Sequence, residues 1–421
     1  MSKEYKPILI AQIYLTFVLM LFIFGPMKWV LHYPFQTVGF LILAQIFLFI
    51  GYTVSVKKIK MKRQNLVNEY NLSKKILYII IGFSLIMNVL ILYSRHGLLT
   101  FSYIVQTLSN FGDLSSTLYS NKIQNTGSSF LTMFSTFTSP ITYLAIPLTL
   151  YYFSKLNLGL KTIGMVNIIL ECLKWLLIGT NKGLIDLFLI FIAIYYLKRD
   201  VYKKSNNIIK GLVVLTALGV LVIFSINISS RIGDNIFVLS SITNGTEINL
   251  ENSIYKWLPE SLKYIYIFMT IYLTQGFYAI DLAFQTNFIP MFGVGNSSFL
   301  IEKLQGFINM DVYQYTYQSR LELLGWSGSL NWHSAYLWFA NDVSLIGIFP
   351  LMFLIGYYFY FVCSKAIYTK RPIYVGLFCL MVQLIFYIPM NNQVLSHPST
   401  FMPFVIYNLI LIVNSKKIVR K

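Results

Sequence analysis

Long, continuously apolar runs recur along this chain, each of roughly the 17 to 25 residues that a helix rising about 1.5 Å per residue needs to cross some 30 Å of hydrocarbon. A water-soluble surface carries about a quarter charged residues. Here 56% of residues are hydrophobic and 11% are charged, so the chain cannot cover itself with a polar shell. The runs do not alternate inward-polar with outward-apolar positions, which argues against a β-barrel. The expected fold is an all-α polytopic membrane protein forming a single polytopic membrane domain over 1–421.

About ten transmembrane helices are expected, at 7–25, 35–56, 76–93, 130–153, 162–178, 183–197, 210–228, 342–361, 373–389 and 401–414. Placing the N-terminus in the cytoplasm puts twenty-three basic residues inside, in 57–75, 198–210, 365–371, 416–421 and the short stretches around Lys3, Lys6, Lys155 and Lys161. Nine fall outside, and every short loop then obeys the positive-inside rule. Both termini are therefore expected in the cytoplasm. The segment 262–284 is apolar enough to span, yet counting it would invert every later loop. It is expected to lie on or re-enter the membrane within one large outer loop, 229–341, between spans 7 and 8. A loop that long exceeds what a connector requires and usually carries function.

The formal charge of +18 is thus a topology signal and does not point to nucleic acid. Cys172, Cys363 and Cys379 lie in apolar segments without metal-ligand spacing, so neither a disulfide framework nor a zinc site is expected. The basic N-terminus precedes an apolar stretch too long for a signal-peptide core, and it is read as the first span. There is no G-x-x-x-x-G-K-[ST] loop, H-E-x-x-H helix or G-x-S-x-G elbow, and no large cytoplasmic domain to hold a nucleotide.

Candidate chemistry gathers near one membrane face. Glu171 and Lys174 fall inside a span and share a helix face, either as a structural ion pair or as part of a substrate cavity. In GTNKGLIDLF, Asn181 and Lys182 sit in a tight turn where backbone N–H groups and a helix N-terminus would favour phosphate. The plainer reading of Lys182 is a snorkelling cation capping a hairpin. Asp186, one turn on, is expected to partner one of these cations. The outer loop adds Arg231 and Asp234 in SSRIGDN, Arg320 in QSRLELLGW and His333 in SLNWHSAYLWF. Guanidinium pairs bidentately with phosphate oxygens and stabilises charge on a phosphate leaving group, while imidazole can remove a proton from a hydroxyl. His32, His96 and His397 compete with His333 for that role.

Two local patterns resemble the O-antigen and capsular polysaccharide repeat-unit polymerases (Wzy family), which are related to the O-antigen ligases. One is GTNKGLIDLFLIFIAIYYLKR, a turn with a basic residue and Gly entering a helix that ends in a basic cluster, with Lys182 where Arg is commoner. The other is WHSAYLWFANDVSLIGIFPLMF, His then Ser and a Tyr-Leu pair leading into a Gly-containing span. The likeness covers most of the chain in topology and about forty residues in motif. It implies a GT-C-like membrane glycosyltransferase of the bacterial cytoplasmic membrane, which polymerises oligosaccharide repeat units carried on undecaprenyl diphosphate at the outer face, without cofactor or metal. It would place Arg231, Arg320 and Lys182 on the diphosphate and make His333 the base. Expected partners are the lipid-linked oligosaccharides, membrane lipids, a chain-length regulator and a flippase. The alternatives are a lipid-linked oligosaccharide flippase or transporter, favoured by charge inside a span, and an O-antigen ligase, which shares the site.

Overall fold

The computed structural model describes residues 3–60, 73–97, 130–177, 180–202, 246–328 and 331–419, with a few isolated positions between them. Helices are α1 (Lys6–Phe24), α2 (Pro34–Lys60), α3 (Lys74–His96), α4 (Phe130–Tyr152), α5 (Leu158–Leu176), α6 (Lys182–Tyr202), α7 (Glu260–Ala283), α8 (Ser298–Ile308), α9 (Ala335–Thr369), α10 (Pro372–Tyr387) and α11 (Pro398–Val419), with shorter turns between. Strands among the described residues are limited to a two-residue antiparallel ladder, β1 (Met27–Lys28) with β2 (Glu247–Ile248).

Nine of the ten expected spans coincide with a helix, and the tenth, 210–228, lies mostly outside the described residues. Five helices are long and apolar enough to cross a membrane: Lys6–Phe24, Pro34–Ile59, Lys74–Arg95, Leu262–Ala283 and Ala335–Thr369. The fourth falls within the segment expected as an outer loop. That segment holds a continuous helix of spanning length, α7, rather than a connector alone. Among the helices outside this group, α5 carries Lys161, Glu171 and Lys174, while α10 and the apolar part of α11 are shorter.

Apolar residues on all sides identify the lipid-facing helices. In α1, Ile8, Leu15 and Val18 are buried, whereas Ile10, Ile13, Phe17 and Phe24 are more than half exposed. In water such a surface would drive aggregation; facing lipid, it is what holds the helix in the membrane.

The chain forms two compact units. The first comprises residues 1–65, 235–361 and 384–397. In it α7 packs against α1 and α2, with Phe22 edge-on to Phe277 and Trp326 edge-on to Tyr278. Asp281, fully buried on α7, accepts the backbone N–H groups of His32 and Tyr33 at 2.8 Å and the Thr37 hydroxyl at 2.9 Å. It therefore caps the start of α2 from another helix, where unpaired N–H groups and the positive end of the helix dipole favour a carboxylate.

α2 and α9 touch backbone to backbone. A Cβ at Gly51 would overlap the Phe353 carbonyl, and one at Gly356 would overlap the Leu48 carbonyl. Such small-residue contacts are how helices pack closely in lipid, where no hydrophobic drive brings them together. Gly356→Val should destabilise the protein by about 1–3 kcal/mol through overpacking. Gly39→Ala, in open space on α2, serves as control. Thermal unfolding midpoints in detergent compare the two, and equal midpoints would refute the contact.

The second unit comprises residues 66–234, 362–383 and 398–421. Here α4, with Pro140 and Pro147 inside it, packs against α3 and α11. The Tyr407 hydroxyl donates to the Pro140 carbonyl.

Candidate functional site

His333 and Arg320 both fall in the first unit, on the stretch that leads into α9. Thr316 caps the short helix Tyr317–Arg320, its hydroxyl accepting the Ser319 N–H at 3.1 Å. The Arg320 Nε donates to the Thr316 carbonyl at 3.2 Å, its Nη1 donates to the Asn287 carbonyl, and its guanidinium lies 4.8 Å from the centre of the Tyr317 ring. The remaining nitrogen, Nη2, is buried and has no hydrogen-bond partner among the described residues. Desolvation pulls the guanidinium pKa below its usual value, though arginine stays protonated regardless. The result is a fixed cation with one donor group left open.

The chain then turns through Leu321–Leu324 and Gly325, which adopts φ 80° to end the turn. The Trp332 N–H donates to Gln275 on α7 at 3.1 Å, and the Ala335 N–H to the Ile388 carbonyl at 2.9 Å. Gly276 lies between, where any side chain would strike the Ser334 backbone and the Pro389 carbonyl. These contacts clamp His333 on both sides in sequence. His333 is 2% exposed, and its Nε2 has no partner among the described residues.

Burial pushes the His333 pKa down from 6.5 to about 3, opposed by a hydrogen bond to the Asn331 backbone. The imidazole is therefore neutral near pH 7, with a free but weakly basic Nε2 lone pair. This shift also sets a stability dependence. The unfolded state gains a proton as pH falls through 6.5 and the folded state does not until about 3, so stability is full above 6.5 and declines below it. From about pH 7 to about pH 5 the loss should be about 2 kcal/mol, read as a falling thermal midpoint. His333→Gln should flatten that slope, and an unchanged slope would mean that His333 takes up its proton alike in the folded and unfolded states.

The other described candidates lie in the second unit. On α5, Glu171 accepts Lys174 Nζ at 2.7 Å and Trp175 Nε1 at 2.8 Å, while Lys174 also reaches Asn88 on α3 at 3.3 Å. Asn88 donates to Asn167, which donates to Ser84 at 3.0 Å. This is a paired network tying α5 to α3. The Asn181 carbonyl accepts the Ile185 N–H at 3.1 Å as α6 begins. Lys182 Nζ pairs with Asp186 at 2.5 Å and lies 5.5 Å from the Trp175 ring centre, so Asp186 is the partner of Lys182. Gly183 is what lets Trp175 pack there, since a Cβ would enter its ring. Arg231 and Asp234 lie outside the described residues.

Two carboxylates escaped the sequence reading: Asp281, and Asp342, which binds the loop at 293–296. Their signal was available, an acid within an apolar helical run. Among the described residues no cluster of His, Cys, Asp and Glu could hold a metal ion. A cavity of about 390 Å³ in the first unit lies between Phe22, Trp29, Leu31 and Asn249, and none of the described candidate residues lines it. No protein-family model, curated protein or solved structure matches the chain.

Proposed function

We propose that this protein is a membrane glycosyltransferase that joins oligosaccharide repeat units carried on undecaprenyl diphosphate into a surface polysaccharide, at the outer face of a bacterial cytoplasmic membrane. The observation that carries this reading is the pair of unsatisfied buried nitrogens, Nε2 of His333 and Nη2 of Arg320, on one stretch of one unit. A buried polar atom is ordinarily paired, and those left open tend to mark a catalytic or ligand-binding role.

In this reading the acceptor hydroxyl oxygen bonds to the anomeric carbon of the donor as its bond to the diphosphate oxygen breaks. The hydroxyl proton passes to His333 Nε2; burial makes the free imidazole a weak base, and the negative charge of a diphosphate bound beside Arg320 would raise its pKa toward working pH. Arg320 stabilises the charge left on the departing diphosphate. Energy arrives with the lipid-linked substrate, which suits a chain without a nucleotide-binding loop. The ten-span, GT-C-like arrangement belongs to the same proposal.

The test is reconstitution of purified protein with a synthetic undecaprenyl-diphosphate repeat unit, without nucleotide or metal. A ladder of longer glycans with released lipid diphosphate is expected. Movement of the unit across sealed vesicles without a ladder would overturn the polymerase in favour of a transporter.

A further inference from the structure

The cavity beside Trp29 lies where a membrane helix meets water. α1 has 19 residues, close to the length that crosses about 30 Å of hydrocarbon at about 1.5 Å per residue, so its ends fall at the membrane boundaries. The cavity opens at one of them, between the last turn of α1, the start of α2 and the chain at Asn249 and Asn252. Its volume of about 390 Å³ falls within the range of about 300–1,000 Å³ usual for small-molecule sites.

Phe22, Ile23, Phe24, Leu31 and Val38 give it an apolar wall. Ile23 and Phe24 are also exposed on the lipid-facing surface of α1, so the wall continues that surface. The rest of the rim is polar and held in place by the backbone. Lys28 and Glu247 face each other across the β1–β2 ladder, the Asn249 N–H donates to the Pro26 carbonyl at 2.6 Å, and Asn252 Nδ2 donates to the Phe24 carbonyl at 2.9 Å. Asn249 Oδ1 accepts the Glu251 N–H at 3.1 Å, and its Nδ2 has no partner among the described residues. Among the described residues that line the cavity, Lys28 alone is charged. Its ammonium is exposed and 3.4 Å from Glu247, a surface pair of the weak kind that leaves other N–H groups to donate. Trp29 backs the cavity, its ring stacked on Tyr278 at 5.2 Å and edge-on to Trp326 at 6.3 Å.

We infer that this cavity binds one membrane phospholipid, with an acyl chain against the apolar wall and the phosphate on Lys28 and Asn249. An apolar chain joined to a group that needs donors fits both parts of the lining at once. A free anion would leave the apolar wall in water, and a plain hydrocarbon would make no use of Lys28. At the membrane boundary a lysine lays its alkyl stem along apolar surface and holds its ammonium at the depth of the lipid phosphates. The bound lipid would complete the packing around Trp29 and, through Trp326, brace the stretch that carries Arg320 and His333. Its binding does not depend on the glycan reading, so either can fail alone.

The experiment gives delipidated full-length protein in detergent phosphatidylglycerol, the matching diacylglycerol or undecaprenyl phosphate, and counts bound lipid by native mass spectrometry. One phosphatidylglycerol should be retained, and diacylglycerol should be held more weakly. Lys28→Gln should weaken retention on the order of tenfold, the worth of one charge-assisted hydrogen bond. Glu247→Gln breaks the same ion pair but spares the lysine, so it should bind at least as well as the unaltered protein. Leu31→Trp, which puts a larger side chain into the cavity, should abolish retention; should that variant unfold, the Lys28 and Glu247 variants still decide. Unchanged thermal midpoints of the lipid-free variants separate lost binding from lost folding. No retained lipid, equal retention of diacylglycerol, retention indifferent to Lys28→Gln, or uptake of undecaprenyl phosphate in place of phosphatidylglycerol would overturn the site. A dimer that is lost in Leu31→Trp would overturn it too, and assign the cavity to a second copy of the chain.

Discussion

Protein carrying His333→Gln is expected to form polymer about 10²–10⁴-fold more slowly than the unaltered chain, the usual contribution of a positioned general base. Glutamine keeps much of the shape of the imidazole but cannot accept the proton. Arg320→Gln should cost about 10²–10³-fold, since it removes the charge that the proposed mechanism sets opposite the departing diphosphate. Arg320→Lys should recover part of that loss, because an ammonium supplies charge without the planar fork. Single-turnover release of lipid diphosphate reads each effect directly. A His333→Gln rate within about threefold of normal would remove His333 as the base; equal rates for the Arg320 variants would remove the guanidinium.

The second large effect is structural. Asp281→Ala should destabilise the protein by about 3–5 kcal/mol, because it removes three hydrogen bonds to a buried carboxylate, from the N–H groups of His32 and Tyr33 and from the Thr37 hydroxyl. Asp281→Asn keeps the shape and one acceptor oxygen, and it should cost less than half as much. The expected readout is a fall of roughly 5–10 °C in the thermal midpoint of Asp281→Ala in detergent. A midpoint equal to that of the unaltered protein would mean that water or local rearrangement caps α2 as well as Asp281 does.

The helices were readable because hydropathy and length are local properties: the run at 130–153 became α4 at Phe130–Tyr152, and that at 35–56 became the core of α2. The segment 262–284, apolar enough to span but set aside on loop parity, forms a helix of spanning length. Thr270, Thr274, Gln275 and Asp281 dilute its hydropathy, yet all four are buried against neighbours in the first unit. Its polar residues serve packing and capping, which a count of loop charges does not register. His333 illustrates the same limit. The sequence marks it as a histidine among aromatics, but its burial depends on Gln275, Gly276 and the turn at Ile388–Pro389, all remote in the chain. Lys182 and Asp186 were readable as partners because four residues on a helix bring side chains together.

The reciprocal contact of Gly51 with Phe353 and Gly356 with Leu48 has a kinematic consequence. Two backbones seated in each other's surface can pivot about the point of touch, but neither can travel lengthwise without a carbonyl climbing over the next side chain. During turnover, α2 and this part of α9 should therefore move as one rod. The break at Ser344, with φ 65°, ends that rod on its N-terminal side, so the start of α9, where Asp342 holds the loop at 293–296 and Ala335 meets Ile388, is free to hinge against it.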